Sequence, residues 1–315
     1  MNTLKYNCFR ARYKTPKYID EHGGRKMYKI IDKRVLAPQI FLMDIEAPRV
    51  AKSAKPGQFV IIKMDEKGER LPLTICDFDA ERGTVTIVFQ TLGSSTKQMA
   101  DYEIGDSFLD FVGPLGQESE LMHESNEELK GKKIMFIAGG VGTAPVYPQV
   151  KWLSEQGVKA DVIIGSKAKE YVILEEEMKK VADTVYVCTD DGSYGFKGLV
   201  TNKLKELVET DGKKYDLVIA IGPMIMMKFV CKLTEELGIT TIVSMNPIMV
   251  DGTGMCGACR LTVDGEVKFA CVDGPEFDGH KVNFDEAMRR QTIYKTEEVT
   301  KSEGMKTGCG LGGTK

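Results

Sequence analysis

Three cysteines stand close together in a glycine-rich stretch near the end of the chain. With Asp251 they form the spacing Asp251-x4-Cys256-x2-Cys259-x11-Cys271. Iron is bound by anionic thiolates, and the spacing C-x4-C-x2-C followed by a later Cys is typical of [2Fe–2S] proteins. Here Asp251 occupies the first position, and a carboxylate can bind ferric iron as a harder ligand than a thiolate. The pattern therefore predicts a [2Fe–2S] cluster bound by these four side chains.

A structural zinc ion is the alternative, because three Cys and one further ligand also suit zinc. Gly252, Gly254 and Gly257 allow backbone N–H groups to turn toward cluster sulfides. Residues 260–269 read as a β-hairpin with an Asp-Gly turn, which would return the chain to deliver Cys271. The spacing favours the cluster over zinc, and three unligated thiols in such a loop have little packing rationale.

A second set of candidate residues follows apolar runs in the middle of the chain. Residues 139–145 join the apolar run 134–138 to a helical stretch, and residues 188–193 and 221–224 follow two later runs. Glycines permit close backbone approach, and a helix N-terminus attracts a pyrophosphate. Because residues 139–145 are not G-x-G-x-x-G, a plain tight turn stays possible there. We expect nucleotide contacts from Gly139, Gly140, Val141, Gly142, Thr143, Ala144, Pro145, Gly165, Ser166, Asp190, Asp191, Gly192, Gly222, Pro223 and Met224.

A third set lies upstream. Residues 70–74 are interpreted as the end of a strand, and residues 93–96 as the start of a helix. An arginine can pair with a diphosphate in a fork geometry, and hydroxyl and N–H groups at a helix start can bind phosphate. A surface arginine and an ordinary N-cap are the alternatives. The candidate cofactor-binding residues here are Arg70, Pro72, Leu73, Thr74, Gln90, Gly93, Ser95 and Thr96.

Two kinds of apolar pattern must position these residues. Short apolar runs separated by Pro56-Gly57 and Arg82-Gly83 turns predict a small β-barrel or sandwich before about residue 130. Later runs are continuous and each precedes a helical pattern, which predicts a doubly wound α/β domain with a parallel sheet. We expect five segments: an N-terminal extension (1–26), a β-barrel (27–130), the α/β domain (131–247), a cluster subdomain with a loop and hairpin (248–280) and a charged tail (281–315).

Composition excludes several classes of protein. The 315 residues carry a formal net charge of −3, without the basic excess of a nucleic-acid surface. The most apolar window, residues 217–230, is interrupted by Gly222, Pro223 and Lys228 and is too short to span a bilayer. The polar start of the chain argues against a signal peptide. Most of the eight cysteines stand singly, which favours a reduced, cytoplasmic setting over a disulfide scaffold.

Taken in order, these motifs resemble the ferredoxin–NADP reductase superfamily. Arg70-x-Pro-Leu-Thr74 and Gly93-Ser-Ser-Thr96 match its FAD motifs, and residues 139–145 and 222–224 match its nicotinamide motifs. With the cluster loop, the match narrows to a subgroup and covers about residues 27–290. That subgroup contains the electron-transfer subunit of dihydroorotate dehydrogenase, the small subunit of NADH-dependent reduced ferredoxin:NADP⁺ oxidoreductase, and related sulfide dehydrogenase subunits.

The resemblance implies a β-barrel domain that binds FAD, an α/β domain that binds NAD(H), and a [2Fe–2S] cluster. Hydride would pass from the nucleotide to FAD and single electrons would pass to the cluster, so no acid–base residue is required. NADP(H) stays possible because Lys167 and Lys169 follow the second parallel strand, where a 2′-phosphate would bind.

Within the subgroup, Asp251 in place of the first Cys resembles the ferredoxin:NADP⁺ oxidoreductase small subunit, as do residues 277–280 and 284–286. That resemblance implies a larger partner subunit with a second flavin and iron–sulfur clusters, where bifurcation occurs, and ferredoxin as a partner of the complex. An electron-transfer subunit of dihydroorotate dehydrogenase or sulfide dehydrogenase is the alternative. A zinc-stabilised binding or scaffold module is the non-redox alternative.

Overall fold

The structure is a computed structural model that describes residues 28–293. The predicted N-terminal extension (1–26), the end of the predicted tail (294–315) and Cys309 lie outside the described residues. Within residues 28–293, no helix is long and apolar enough to cross a membrane.

The first half of the described chain forms an antiparallel sheet with the strand order β6-β1-β2-β5-β4-β3-β7. Both edge strands, through Phe108 and Phe111, contribute to the same apolar core as the central strands, so the sheet curls into a near-barrel. Two short helices, α1 (Pro48–Ser53) and α2 (Ser94–Ala100), accompany it. The strands are β1 (Tyr28–Ala37), β2 (Ile40–Glu46), β3 (Phe59–Lys63), β4 (Arg70–Asp79), β5 (Thr84–Gln90), β6 (Ser107–Phe108) and β7 (Asp110–Leu115).

The segment 70–74 opens a strand, where the sequence was interpreted as the end of one. Residues 70–74 of β4 pair with β3, whereas the register with β5 begins only at Ile75. Pro72 has no N–H to donate, and it is tolerated because this half of β4 is paired on one side only. The opposite backbone edge of residues 70–74 is therefore free of strand pairing within the described residues.

The second half is an α/β domain with a parallel sheet in the order β11-β10-β9-β8-β12-β13, to which β16 adds an antiparallel edge. The remaining helices are α3 (Asn126–Gly131), α4 (Thr143–Glu155), α5 (Glu175–Val181), α6 (Val200–Glu209), α7 (Met224–Glu236) and α8 (Phe284–Arg290). The strands are β8 (Ile134–Gly139), β9 (Asp161–Ser166), β10 (Val185–Thr189), β11 (Phe196–Lys197), β12 (Leu217–Ile221), β13 (Thr240–Ser244), β14 (Arg260–Val263), β15 (Glu266–Phe269) and β16 (Glu276–Asp278).

Helices cover both faces of this sheet, as predicted. Phe136 of β8 packs in one core with Val150 of α4, and Met135 of the same strand packs in another core with Leu204 of α6 and Val230 of α7. A strand buried on both faces needs apolar residues at every position, which explains the continuous run 134–138.

After β13 the chain leaves the sheet, forms a loop and the hairpin β14–β15, and returns as β16 beside β13. The predicted hairpin is present, with Asp264 and Gly265 at φ 52° and 77° as a tight Asp-Gly turn requires. Part of the segment predicted as a charged tail is folded, because α8 buries Phe284 and Ala287. Packed structure therefore continues past the expected boundary at residue 281.

Candidate functional site

A cleft of about 1010 Å³ lies between the near-barrel and the parallel sheet. Its walls come from β3, β4 and β5 on one side and from the carboxyl ends of β8, β9, β10, β12 and β13 on the other. Ligands of open α/β sheets bind at such strand ends. The volume exceeds what one small metabolite needs and suits extended cofactors.

Most of the predicted cofactor-binding residues line this cleft. Both the near-barrel set and the three glycine-rich loops contribute, although they lie far apart in sequence. The lining residues among them are Pro72, Leu73, Thr74, Gln90, Gly139, Gly140, Val141, Gly142, Ala144, Pro145, Gly165, Ser166, Asp190, Gly222 and Pro223.

The first glycine loop is shaped by close backbone approach. A Cβ on Gly142 would lie 2.3 Å from the carbonyl oxygen of Ile221, and a Cβ on Gly222 would lie 3.0 Å from the Cα of Gly139. The loop therefore packs directly on the end of β12, and α4 begins at Thr143 beside the cleft. The Thr143 N–H donates to the carbonyls of Gly140 and Val141, so the helical turn begins at residues 140–142. The N–H groups at the start of such a turn favour an anionic ligand, and this wall therefore suits a pyrophosphate.

Arg70 does not line the cleft. Its Nε donates to the carbonyl of Val250 at 3.0 Å, and its Nη2 donates to the carbonyl of Asp251 at 3.3 Å. Its Nη1 lies 3.5 Å from the carboxylate of Asp110. The guanidinium thus joins the near-barrel to the start of the cluster loop, and its contact with a flavin diphosphate stays a prediction.

The helix-start residues 93–96 also lie off the wall. Thr96 Oγ1 accepts hydrogen bonds from the N–H groups of Leu92 and Gly93 at 3.0 and 3.1 Å. The Ser95 hydroxyl donates to Glu69. These contacts are those of a capped helix start, which was the structural alternative. Of residues 90–96, Gln90 and Leu92 line the cleft.

Four residues of the nucleotide set lie outside the lining. Thr143 is buried and its hydroxyl donates to Gly140 at 2.9 Å, so it braces the loop from behind. Met224 is buried in the core between sheet and helices. Asp191 accepts from the hydroxyl and N–H of Ser193, and these bonds lower the pKa of its carboxyl. Gly192 shares that turn with φ 75°.

Sequence reasoning missed a stretch that directly follows β13. Asn246, Pro247 and Met249 line the cleft, and the chain continues from them into the cluster loop. The rule that ligands bind at the carboxyl ends of parallel strands would have found this segment, because β13 is such a strand. Tyr171 and Phe229 were also missed, and no motif distinguishes them from ordinary core aromatics.

Two of the four predicted cluster ligands, Cys259 and Cys271, are in contact, whereas Cys256 and Asp251 lie on the loop that precedes the hairpin β14–β15. Cys259 and Cys271 are buried with their sulfur atoms 3.2 Å apart, and the N–H of Gly254 donates to Cys271 Sγ at 3.1 Å. Cys256 is exposed on the outside of the loop. The Asp251 carboxylate accepts a hydrogen bond from the N–H of Thr253 at 3.0 Å.

The donor set fits an iron–sulfur centre, although within residues 28–293 no three metal-ligating side chains converge. Burial and the bond to Cys259 raise the pKa of the Cys271 thiol to about 12, whereas the Ala258 N–H lowers the pKa of Cys256. Backbone N–H groups directed at sulfur are a recurring feature of such sites. Cys259 and Cys271 would be the ligands on the buried side of the cluster site, and Cys256 and Asp251 would be the ligands on its solvent-exposed side.

The cluster loop is packed on the near-barrel. Gly252 has φ 82°, and a Cβ there would lie 2.9 Å from Ile61 of β3 and 3.0 Å from Leu115 of β7. Only glycine combines that backbone conformation with that contact. The loop is therefore held against the domain that forms the opposite wall of the cleft.

Glu276 is a buried carboxylate where three parts of the chain meet. It accepts from the Ser119 hydroxyl at 3.0 Å, the Glu120 N–H at 3.1 Å and the Gln149 amide at 2.7 Å. Burial raises the pKa of this carboxyl, and the three donors oppose that effect. Its stability contribution is therefore full below the unfolded-state pKa and is lost as pH rises through the raised pKa of the folded state.

Comparison with known proteins agrees with this site. The family described as the iron-sulfur cluster binding domain of dihydroorotate dehydrogenase B matches residues 246–283, and the oxidoreductase NAD-binding domain matches residues 136–232. The dihydroorotate dehydrogenase B (NAD(+)) electron transfer subunit homolog of Thermotoga maritima is 44% identical over 88% of this chain and 94% of its own. The chain belongs to the family of dihydroorotate dehydrogenase B electron-transfer subunits.

A second relative and a solved structure support that assignment. The probable electron transfer subunit of Methanocaldococcus jannaschii is 36% identical over 73% of this chain and 81% of its own. A solved structure described as NADH-dependent reduced ferredoxin-NADP oxidoreductase, in the context of flavin-based electron bifurcation, has a TM-score of 0.82 and 43% identity. The match covers 90% of this chain and 99% of the chain in the solved structure.

Membership confirms the predicted fold and the oxidoreductase class. It also confirms the predicted cofactors, an FAD, a nicotinamide dinucleotide and a [2Fe–2S] cluster, at the level of the domains that bind them. The family match favours the cluster over zinc for residues 246–283. The individual contacts of each cofactor stay predictions.

Proposed function

We propose that this chain is the NAD(H)-side small subunit of an electron-bifurcating NADH-dependent reduced ferredoxin:NADP⁺ oxidoreductase. The observation that carries the proposal is the continuity of the cleft wall with the cluster loop, through residues 246–249. A nucleotide site, a flavin site and a metal loop that share one wall can pass electrons in series. The likeness to the solved structure and the presence of Asp251 support this choice within the family.

When bound, FAD supplies the conversion between two-electron hydride chemistry and one-electron chemistry. Pro72, Leu73 and Thr74 would hold the flavin from the free edge of β4, because that edge faces the cleft without strand pairing. Residues 139–145 would hold the nucleotide diphosphate with the N–H groups of the turn at residues 140–142, which precedes α4. Asp251, Cys256, Cys259 and Cys271 would hold the cluster.

NAD(H) is the proposed nucleotide. Of the two lysines that could bind a 2′-phosphate, Lys167 lines the cleft. The ammonium group of Lys169 instead lies 5.2 Å from the ring centroid of Tyr194, outside the lining. One cation without an arginine fork is a weak site for a 2′-phosphate, so NADP(H) is the less favoured nucleotide.

The proposed partner is a larger subunit with its own flavin and iron–sulfur clusters, and ferredoxin would act through that complex in the cytoplasm. An electron-transfer role in dihydroorotate or sulfide oxidation is the second candidate, which the names of several relatives favour. Purification of the untagged native complex separates the two. A partner that supports NADP⁺ reduction by NADH and reduced ferredoxin supports the proposal, and a partner that oxidises dihydroorotate supports the alternative.

Anaerobic absorption and EPR spectroscopy test the site itself. We expect flavin bands that NADH bleaches and a rhombic [2Fe–2S] signal on reduction, with a weaker response to NADPH. The Cys271→Ala variant should keep the flavin bands and lose the EPR signal, whereas Cys231→Ala, a buried cysteine outside the cluster loop, should keep both. Stoichiometric zinc without an iron signal would favour the zinc-stabilised module instead.

A further inference from the structure

Arg290 contacts the cluster loop from a helix that the proposed function does not use. Its Nη2 donates to the carbonyl of Ala258 at 3.2 Å, and Ala258 lies between Cys256 and Cys259. Its Nε is buried, and no acceptor within residues 28–293 reaches it. The side chain therefore holds the loop with one donor and carries a second donor for which the described residues supply no acceptor.

An unused buried donor on a permanent cation is unfavourable, because guanidinium N–H groups lose their water without replacement. The position of Arg290 is nevertheless firmly defined. Asn283 caps the start of α8 by accepting from the Glu286 N–H at 3.1 Å, and Phe284 and Ala287 bury the inner face of the helix. Arg289, the preceding residue, is exposed. The chain thus presents one of two adjacent arginines to the cluster loop.

We propose that Arg290 is a positioning residue of the [2Fe–2S] centre. Nη2 fixes the turn between Cys256 and Cys259. Because no described cysteine accepts from Nε, the Nε–H would donate to a sulfide of the bound centre. The inference rests on the proposed function insofar as it requires the cluster to be bound. Hydrogen bonds to cluster sulfur and nearby charge set the reduction potentials of such centres.

The sign of the effect follows from charge. Reduction by one electron makes the centre more negative, and a fixed positive charge with a hydrogen bond stabilises that state. Arg290 should therefore raise the reduction potential. Arg70 contacts the other end of the cluster loop, because it donates to the carbonyls of Val250 and Asp251 and to the carboxylate of Asp110.

The test compares Arg290→Gln and Arg290→Lys with Arg289→Gln, which removes the same charge from an exposed position of the same helix. Each holoprotein is titrated anaerobically with dithionite as the electron donor, and the [2Fe–2S] EPR signal is followed. At the midpoint potential of the wild type, we expect the ratio of oxidised to reduced centre to be about tenfold higher in Arg290→Gln. That ratio corresponds to a midpoint potential lower by about 59 mV for one electron. Arg289→Gln should match the wild type.

Arg290→Lys retains the positive charge but lacks a donor at the position of Nε. Its midpoint potential should therefore shift by less than that of Arg290→Gln, and the g-values of the EPR signal should change. Equal midpoints and spectra for Arg290→Gln and Arg289→Gln would overturn the inference, and a buried water would then be the acceptor of Nε. If Arg290→Gln fails to retain the cluster, Arg290→Lys serves as the test. A shifted midpoint potential with changed g-values would then support the inference, and wild-type values would overturn it. Absence of a [2Fe–2S] signal from the wild type would refute the proposed function instead.

Discussion

Gly142→Ala is the substitution for which the structure makes the most definite prediction. Gly142 has φ −60°, a conformation that alanine adopts freely, so the change adds no backbone strain of its own. The added Cβ would instead lie 2.3 Å from the Ile221 carbonyl oxygen and 2.8 Å from its carbon. The obstacle is the backbone of β12, which is paired on both sides by β8 and β13 and cannot rotate away as a side chain can.

The size of the effect follows from that distance. Ordinary contacts begin near 3.4 Å, so the loop and the start of α4 must move by about 1.1 Å. Overpacking of this kind costs about 1–3 kcal/mol of stability. Misplacement of a binding loop by about 1 Å can cost roughly a hundredfold in the productive reaction. We therefore expect a moderately destabilised protein that reacts very poorly with NADH.

Urea unfolding measures the loss of stability. The concentration dependence of anaerobic flavin bleaching by NADH measures the loss of reaction with the nucleotide. Gly131→Ala is the matched control, because nothing lies within 4 Å of a Cβ placed at the end of α3. The [2Fe–2S] signal of Gly142→Ala should persist under dithionite. If Gly142→Ala bleaches with NADH as readily as Gly131→Ala, the close-approach argument for this loop is refuted.

Three further substitutions test the packing around the site. Glu276→Gln should gain stability relative to wild type as pH rises above the ordinary pKa of a glutamate, by up to about 1.4 kcal/mol per pH unit. A pH-independent difference in urea unfolding would contradict burial of the charge. Asp77→Asn removes the 2.8 Å ion pair with Lys151, which joins the two domains near the surface, and should cost at most about 1 kcal/mol in the same assay. Gly265→Ala places a Cβ at φ 77° in open space and should lower stability by about 1–2 kcal/mol without loss of the cluster spectrum.

The parts of the fold that were predictable from sequence are those specified by local rules. The run 134–138 is apolar at every position because both faces of β8 are covered, and that pattern alone indicates a parallel strand. The Asp264-Gly265 turn was equally local, since the two residues supply the positive φ values that a tight hairpin needs. The glycine loop after β8 could be placed because one strand and one helix determine it.

The parts that were not predictable depend on contacts between distant segments. Arg70 looks like a diphosphate ligand in its own segment, but its Nε donates to Val250, which lies 180 residues away. Helix α8 escaped notice because its few apolar residues, Phe284 and Ala287 among them, are interspersed with charged ones. Arg290 fell within the predicted charged tail (281–315) for the same reason. Sequence patterns record which side chains are buried but not which distant backbone they meet.

The adjacency of β13 and β16 has a consequence for how the cluster region relates to the rest of the chain. Ser244 pairs with Glu276, so residues 245–275 leave and re-enter the sheet at neighbouring points of one edge. In topological terms, the four proposed cluster ligands all lie in the connection of a single β-hairpin. Such an insertion can be gained, lost or exchanged without altering the order of the parallel strands. A short turn in place of residues 245–275 would therefore keep the strand order, and it would remove both the proposed cluster ligands and the part of the cleft wall formed by residues 245–249.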